Sequence, residues 1–406
     1  MNSAEFTFTN LTFEGLKIKG IPVDLNAVTE INIFENLLSP VITGTIEFKD
    51  WQGLMELGYV IAGDDLDIVW GSPEKVTITN KFKVTALEAT SEFDMTTYNV
   101  FRLHFTSPWA VKAFASQYTK AYKDKYIHEI IQDIVEACGA TIEYIEPTKQ
   151  KLEHYCLPLW TPARSIQTLL RMAMNEQKRG GYLLWTNMET GKVWCTTVEY
   201  MLNKTVGYYE KFFMRSGNLR YEGRVFNITA EQNFDLIRFL NMGMGKTEKT
   251  ALYYDKDELF YTEENIKEYE HKHTAKKYPL PQSYLTEEWA TKTKTYIYPS
   301  KDAAVSDNVE FEDLVNGTLF ADYTMFFSDV FKVNILTNGE SSRRVGMMTR
   351  LDYPSINEAK KDFNLQYQGD YLIRSIRHII SGPDYYQAIT LAGDGYFKHD
   401  GTLVEW

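Results

Sequence analysis

Gly369-Asp370-Tyr371-Leu372-Ile373-Arg374-Ser375-Ile376-Arg377-His378-Ile379-Ile380, the turn Ser381-Gly382-Pro383-Asp384, and Tyr386-Gln387-Ala388-Ile389-Thr390-Leu391 read as one antiparallel hairpin. Apolar residues, many of them β-branched or aromatic, are interleaved with polar ones in both arms, and Gly and Pro mark the turn. A second stretch has the same form. Phe82, Val84 and Leu87 lie on an arm from Lys81 to Thr90, a polar loop runs from Ser91 to Thr97, and a return arm runs from Tyr98 to Thr106. The shared pattern points to a duplicated β unit. Two unrelated antiparallel hairpins produce the same pattern, so both readings stay open at this level.

Working outward from the earlier hairpin, Phe6, Phe8, Leu11 and Phe13 alternate around a turn near Asn10, and Leu16-Lys17-Ile18 runs into Gly20 and Pro22. Thr29 to Phe34, Val41 to Phe48 and Leu66 to Trp70 are three further strands. Asp50 to Gly58 predicts a short helix or turn, capped by Asp50 and stopped by Gly58. Residues 1–107 therefore predict a small antiparallel barrel or sandwich.

The texture changes at Ser107-Pro108, a cap followed by a proline suited to the first helical turn. Ile127, Ile130, Ile131, Ile134, Val135 and Cys138 form a helical stripe that Gly139 ends. Thr141 to Ile145 reads as a strand. Thr161-Pro162 repeats the cap signature ahead of a helix whose buried stripe is Ile166, Leu169, Leu170 and Ala173. A hairpin of Tyr182 to Trp185 and Lys192 to Thr197 closes an α/β module at 108–200. Residues 201–245 return to β character. Residues 246–306 are rich in Lys and Glu and predict a charged insertion, partly irregular and solvated. A helix is expected from Asn308 to Phe327, then strands Phe331–Leu336 and Gly346–Leu351, then the opening hairpin. The fold class is α+β, mostly β. Its parts are a first β-barrel (1–107), the α/β module (108–200), a second β-barrel (201–245 plus 307–406) and the insertion (246–306).

Composition narrows the function classes. The 406 residues are 44% hydrophobic and 24% charged, close to globular averages, so a core large enough to need no staples is expected. Aromatic residues make up 14%, which favours strands and contact surfaces. The formal charge of −12 argues against a surface that grips nucleic acid all over. Met1-Asn2-Ser3-Ala4-Glu5 has no basic leader, and no apolar run is long enough to span a bilayer. Cys138, Cys156 and Cys195 are odd in number and widely spaced, so reduced core thiols are expected and the sequon at Asn203-Lys204-Thr205 carries no glycosylation argument. Secretion, membrane insertion and a disulfide scaffold are disfavoured.

Local motifs offer no catalytic constellation. Gly243-Met244-Gly245-Lys246-Thr247 lacks the first glycine of a phosphate loop, because Leu240 stands there, and it reads as a linker. His128-Glu129-Ile130-Ile131-Gln132 lacks the second histidine of a zinc helix, which leaves His128 as a helix-surface or interface residue. His271-Lys272-His273 has no ligand partners in a rigid frame. His154 and Cys156 share a strand face without an orienting third group. His104 and His378 lie in apolar strands and read as satisfied core or interface residues. Asp64, Asp65 and Asp67 form an acidic cluster at a strand entrance and read as turn acids. No metal and no cofactor is expected.

Three segments resemble the hub proteins of contractile phage tails and the related VgrG spike proteins of type VI secretion. They are Leu157-Pro158-Leu159-Trp160-Thr161-Pro162-Ala163-Arg164-Ser165-Ile166 leading to Gly180-Gly181-Tyr182-Leu183-Leu184-Trp185, the hairpin at 369–391, and the opening β unit with Gly44-Thr45-Ile46-Glu47-Phe48 and Gly63-Asp64-Asp65-Leu66. Their order agrees as well, and the resemblance covers most of the chain outside 246–306. It implies a non-enzymatic homotrimer in which each chain supplies two tail-tube-like barrels. The resulting ring of six would match a six-fold tail tube protein on one side and a trimeric central spike protein on the other, with tape-measure and baseplate wedge proteins as further neighbours. The oligosaccharide-binding barrel and β-helix of VgrG proteins are not found after the second β unit, so the spike is expected to be a separate chain. Three copies would carry a formal charge of about −36, suited to a channel through which DNA slides without sticking. Asp64, Asp65 and Asp67 are the candidate channel-lining residues. The location implied is a virion tail baseplate assembled in the host cytoplasm. Two other functions compete: a cell-wall hydrolase using Glu263, Glu264 and His271 of the insertion, and a carbohydrate-binding tail protein using exposed Tyr and Trp.

Overall fold

The computed structural model describes residues 12–51, 53, 58–71, 77–89, 99–177, 179–203, 205–213, 225–232, 249–255, 260–266, 295–298, 331–352, 369–382 and 384–393. The first unit holds β1 (Thr12–Ile18), β2 (Ile21–Pro22), β3 (Val28–Asn36), β4 (Thr43–Asp50), β5 (Asp65–Gly71), β6 (Ile78–Ala89) and β7 (Asn99–Thr106). The module follows with α1 (Pro108–Ala115), β8 (Tyr118–Tyr126), α2 (Ile127–Ala137), β9 (Ile142–Ile145), β10 (Lys151–Trp160), α3 (Pro162–Met172), β11 (Tyr182–Thr186), β12 (Val193–Thr197) and α4 (Val198–Leu202). The rest comprises β13 (Tyr208–Phe213), β14 (Val225–Gln232), β15 (Lys249–Asp255), β16 (Phe260–Ile266), β17 (Thr295–Tyr298), β18 (Phe331–Asn338), β19 (Met348–Asp352), β20 (Gly369–Ser381) and β21 (Asp384–Gly393).

The two β units repeat one another strand for strand. In the first, the strands lie in the order β1-β5-β6-β7-β4-β3; in the second, the order is β13-β19-β20-β21-β18-β14. Each row uses its six strands in the same chain order, and the irregularities repeat too. A bulge falls between Val84 and Ala86 of β6 and between Ile373 and Ser375 of β20. Another falls between Val28 and Glu30 of β3 and between Val225 and Asn227 of β14. Bulges are specific features of a strand pair, so coincidence at two places supports duplication over two unrelated hairpins. One difference stands out: β1 is antiparallel to β5, whereas β13 is parallel to β19.

The units are not separate sheets. β3 pairs antiparallel with β20, from Asn36 opposite Ser375 to Ile31 opposite Ile380, and this seam merges both rows into one 13-stranded sheet. Among the described residues the path runs open from β14 to β2, and no pairing closes either unit into a barrel. Where the sequence predicted two barrels, the described strands show one continuous, almost wholly antiparallel sheet.

Period-2 alternation sets what each strand buries. Leu66, Ile68 and Trp70 of β5 are fully buried, as are Ile31 and Ile33 of β3 and Ile46 and Phe48 of β4, with Phe82 and Phe105 packed at 4.6 Å between ring centroids. Ile380 and Tyr385 of the second unit belong to this same core, and so does Met188 of the module. The second core gathers Val333, Ile335, Leu351, Ile373, Ile389 and Leu391, and the module adds Trp185, Val198 and Met201 to it. Cores that cross unit boundaries bind the three parts together.

In the module, the predicted stripe of α2 is buried as expected, and Gly139 ends the helix with φ of 89°. Thr161 caps α3 by accepting the Arg164 N–H, with Pro162 in the first turn. Ile166, Leu169 and Ala173 are buried and Leu170 is half-buried. Ser107 stands at the cap position of α1, but its Oγ accepts the Ile42 N–H at 3.0 Å instead, tying the helix start to the residue just before β4. β8 was not legible in the sequence. Seven of its nine residues are exposed, so its alternation carries no apolar signal. It is held by β10 and by Asp133 of α2, whose Oδ2 accepts from Tyr122 (2.6 Å), Tyr118 (2.9 Å) and Lys120 (2.6 Å). Burial pushes the Asp133 carboxyl up, but these hydrogen bonds together outweigh it and hold the group below its ordinary value.

Residues 146–150 lack regular structure, yet Glu146, Thr148 and Gln150 are buried. Every residue of the segment makes a tertiary hydrogen bond, as buried polar backbone requires. Glu146 accepts from Asn175 and Thr197, Pro147 O from the Tyr182 hydroxyl, and Lys149 N–H donates to Met174 O. Gln150 O accepts the Ile127 N–H and Thr148 Oγ1 the His128 N–H, so the segment caps α2.

That arrangement makes His128 pH-sensitive. Its Nδ1 accepts the Thr148 N–H at 3.0 Å, which requires an unprotonated Nδ1 at a helix N-terminus. Burial holds the imidazole below its ordinary value, with the Glu129 charge opposing. A folded value below the unfolded one contributes stability that is complete above the unfolded value, about 6.5, and is lost as pH falls from there toward the folded value. Urea unfolding midpoints are expected to fall between pH 7.0 and 5.5, and His128→Gln to flatten that fall. An equal fall in the variant would remove His128 as the cause.

Several expectations change. The described stretches of the charged insertion, residues 249–255, 260–266 and 295–298, form a three-stranded sheet, β16-β15-β17, whose strands the sequence reading did not place. Asp50 is the buried last residue of β4, where the β4–β7 pairing ends, and residues 52 and 54–57 of the predicted helix or turn lie outside the described residues. Cys138 and Cys195 are buried free thiols as expected, whereas Cys156 is exposed on β10. The predicted helix Asn308–Phe327, Phe6 and Phe8, the loop Ser91–Thr97, Gly243–Thr247 and His271–His273 lie outside the described residues.

Candidate functional site

The seam between β3 and β20 is polar at its centre. His378 of β20 is buried, and its Nε2 lies 2.7 Å from Glu35 Oε1 of β3, 343 residues away in sequence. Its Nδ1 lies 2.8 Å from the Tyr385 hydroxyl. The Gln387 amide donates to that hydroxyl at 3.0 Å and to Glu340 O at 2.8 Å. With the Tyr385 oxygen already accepting, its proton is free for Nδ1, and Nε2–H then donates to Glu35. Gln387 Oε1 in turn accepts from Arg343, which also pairs with Glu340 at 3.2 Å. Burial pushes the Tyr385 hydroxyl well above its ordinary value, so it stays protonated. Trp70 of β5 stands edge-on to both His378 and Tyr385, at 5.2 and 5.4 Å between ring centroids. Trp70 Nε1 donates to Asn80, and Asn80 donates to Met188 O of the module at 2.8 Å. Residues of all three parts of the chain are thus linked through this network, and His378 is satisfied within it, in line with the core or interface histidine that its apolar strand predicted.

The opposite side of the sheet is the outer face, and it continues across the seam. Arg377 of β20 donates to Asn32 of β3 at 2.8 Å, lies 3.6 Å from Glu30 and stacks over the Phe34 ring at 5.8 Å. Further along, Arg102 faces Glu47 at 3.9 Å and His104 faces Glu88 at 3.3 Å. Opposite charges alternate along this face. An apolar groove of about 530 Å³ opens where α1 meets it, with Phe34, Val111 and Phe114 exposed at its rim and Gly44 and Phe105 among its lining.

The three candidate acids do not form one bare cluster. Asp64 closes its own turn, its Oδ2 accepting the Ile61 N–H at 2.9 Å. Asp65 pairs with Lys83 at 2.8 Å. Asp67 stands opposite Lys81 of β6 and Lys17 of β1 in register. Asp65 and Asp67 share one face of β5, opposite to buried Leu66, Ile68 and Trp70. A sequence window could show the acids but not the lysines on neighbouring strands.

Among the described residues the remaining motifs are dispersed. His154 and Cys156 are both exposed, and His154 lies 3.5 Å from Glu153. Glu263 and Glu264 are consecutive residues of β16, and His271 lies outside the described residues. Among the described residues no group of three or more His, Cys, Asp or Glu could hold a metal ion, and no helix is long and apolar enough to cross a membrane.

No family model matches the sequence, and no curated protein matches it. Solved structures do. The tail protein from Neisseria meningitidis MC58 superposes with a TM-score of 0.59 at 11% identity, covering 96% of this chain and 98% of that one. The 43 kDa tail protein of prophage MuSo2 from Shewanella oneidensis gives 0.55 at 9% identity, covering 93% and 96%. The chain has the fold of phage tail proteins. A PdpA–VgrG complex in its lidless form also matches, with a TM-score of 0.50 at 10% identity, covering 96% of this chain and 66% of that one. The superpositions cover nearly all of this chain, both β units and the module between them included.

Proposed function

We propose that the chain is a structural, non-enzymatic baseplate hub of a contractile phage tail or related injection machine. In this reading it is a homotrimer that adapts a six-fold tail tube to a three-fold spike around a DNA-conducting channel. The observation that carries it is the strand-for-strand repeat of the two β units within a tail-protein fold. A chain with two equivalent units presents six in a trimer, which is the number needed to meet a six-fold tube. Each unit becomes one tube-like barrel wall, and the outer face of the sheet, with Asp65 and Asp67 on β5, becomes the channel lining. The alternation of acids with Lys17, Lys81 and Lys83 suits a wall that neither grips nor strongly repels a phosphate backbone.

The test is the solution mass of the full chain by light scattering, alone and with its spike protein. A value near 141 kDa, three times the 47.1 kDa chain, is expected in at least one condition. A stable 47.1 kDa species in both would overturn the reading.

A further inference from the structure

Residues 146–150 sit between two halves of the α/β module and hold each by different chemistry. Toward α3 and α4, Glu146 accepts from Asn175 and Thr197, and the Pro147 carbonyl accepts from the Tyr182 hydroxyl. The Lys149 N–H donates to Met174 O at 2.7 Å, and Gln150 Oε1 accepts the Met174 N–H at 2.7 Å. No histidine takes part in these bonds. Toward α2, Gln150 O accepts the Ile127 N–H at 3.2 Å, and Thr148 bonds to His128 in both directions. Thr148 Oγ1 accepts the His128 N–H at 3.1 Å, and the Thr148 N–H donates to His128 Nδ1 at 3.0 Å.

We propose that the His128–Thr148 pair is an acid-operated latch: protonation at Nδ1 detaches residues 146–150 from the first turn of α2, while the 13-stranded sheet stays in place. Protonation turns Nδ1 from an acceptor into a donor. The ring can still donate to Thr148 Oγ1, 2.9 Å away, but the Thr148 N–H then faces a donor at 3.0 Å. Thr148 is buried, so that N–H has no water to turn to, and the segment must move to satisfy it. The bond from the Ile127 N–H to the Gln150 carbonyl is the tie that opening then breaks. Ile127 itself, fully buried in the module core, is the apolar side chain that opening brings toward water.

The surroundings of the imidazole set where the latch works. Burial is the largest influence and holds the group below its ordinary value. Glu129, the next residue of α2, favours the cation. Lys125 of β8, 3.6 Å from Glu129, and Lys149, beside Thr148, carry charge that opposes it, as does the positive end of the α2 dipole. Tyr126 of β8 stacks on the ring at 5.4 Å between centroids. The latch is therefore closed at neutral pH, and it opens as pH falls from about 6.5, the ordinary value, toward the lower folded one.

The experiment is hydrogen exchange of the full chain, read by mass spectrometry in steps from about pH 7 to about pH 5 and corrected for the intrinsic exchange rate. Peptides spanning 127–133 and 146–150 are expected to lose protection several-fold toward acid, by at most about tenfold per pH unit, the limit for one proton. Peptides of β20 and β21 should keep theirs. Unchanged protection at 127–133 and 146–150, or an equal loss in β20 and β21, would overturn the latch. His128→Gln keeps an acceptor in place but does not titrate, and should abolish the acid-dependent loss; a loss as large as in wild type counts against His128 as the trigger. Glu129→Gln is a second check. Its amide oxygen can still accept the Tyr126 N–H, but the charge that favours the imidazolium is gone, so opening should move to lower pH. An unmoved midpoint also counts against His128.

Discussion

Replacing Glu35 with alanine is expected to cost about 2–3 kcal/mol of stability, the range for leaving a buried hydrogen-bonding group without its charged partner. The side chains of Glu35 and His378 are almost completely buried. Without the carboxylate, His378 Nε2–H faces a dry cavity with no acceptor, and the penalty for an unmade buried hydrogen bond applies in full. The loss should propagate because His378 is held by Tyr385, Tyr385 by Gln387, and Gln387 by Arg343 and Glu340. Glu35→Gln keeps an acceptor at the same place and should cost less. Guanidinium unfolding followed by tryptophan fluorescence will measure both. Trp70, edge-on to the imidazole, reports from inside the network. A Glu35→Ala chain within about 1 kcal/mol of wild type would show that the seam is held by its backbone ladder and apolar flanks instead.

Gly44→Ala should be comparably damaging, at roughly 3 kcal/mol or more, because an added methyl cannot be accommodated without moving backbone. A Cβ at Gly44 would lie 2.2 Å from Phe105 Cζ and 2.4 Å from the Asn32 carbonyl oxygen. Gly15 is the control. A Cβ there meets nothing within 4 Å, so Gly15→Ala should stay within about 0.5 kcal/mol of wild type. The duplicated unit shows why the site is sterically closed. Gly44 stands opposite Phe105, whereas the equivalent pair in the second unit is Val333 opposite Leu391. One unit combines the smallest residue with a large ring; the other divides the same space between two medium side chains. Gly44→Val with Phe105→Leu should therefore recover part of the stability lost by Gly44→Val alone. Thermal melts of the three variants will decide this, and no recovery in the double variant would mean that the Asn32 carbonyl sets the limit.

The sequence made most of the elements legible because their signals are local. The hairpin at 369–391 needed only alternation and a turn. α2 and α3 needed only a 3.6-residue stripe with a cap and a stop. β8 escaped because Tyr118 and Tyr122 are its only residues not left exposed, and their partner Asp133 lies on another element. The channel candidates were legible as acids but not as one half of a lysine–acid pattern, since Lys17, Lys81 and Lys83 reach them only across strand pairs.

What the sequence by itself determined is which residues each strand buries, where α2 and α3 begin and end, and that two hairpins share a pattern. Period and capping act over a few residues, so a short window holds all the information they need. Only the tertiary structure decided which edge meets which. The identical strand order of the two units, the Ser107 hydroxyl serving Ile42 rather than its own helix, and the Glu35–His378 seam all join residues far apart in the chain. Alternation gives a strand its two faces but leaves its two edges alike. The choice between edges rests on closing long loops around a shared core, and no local pattern records it.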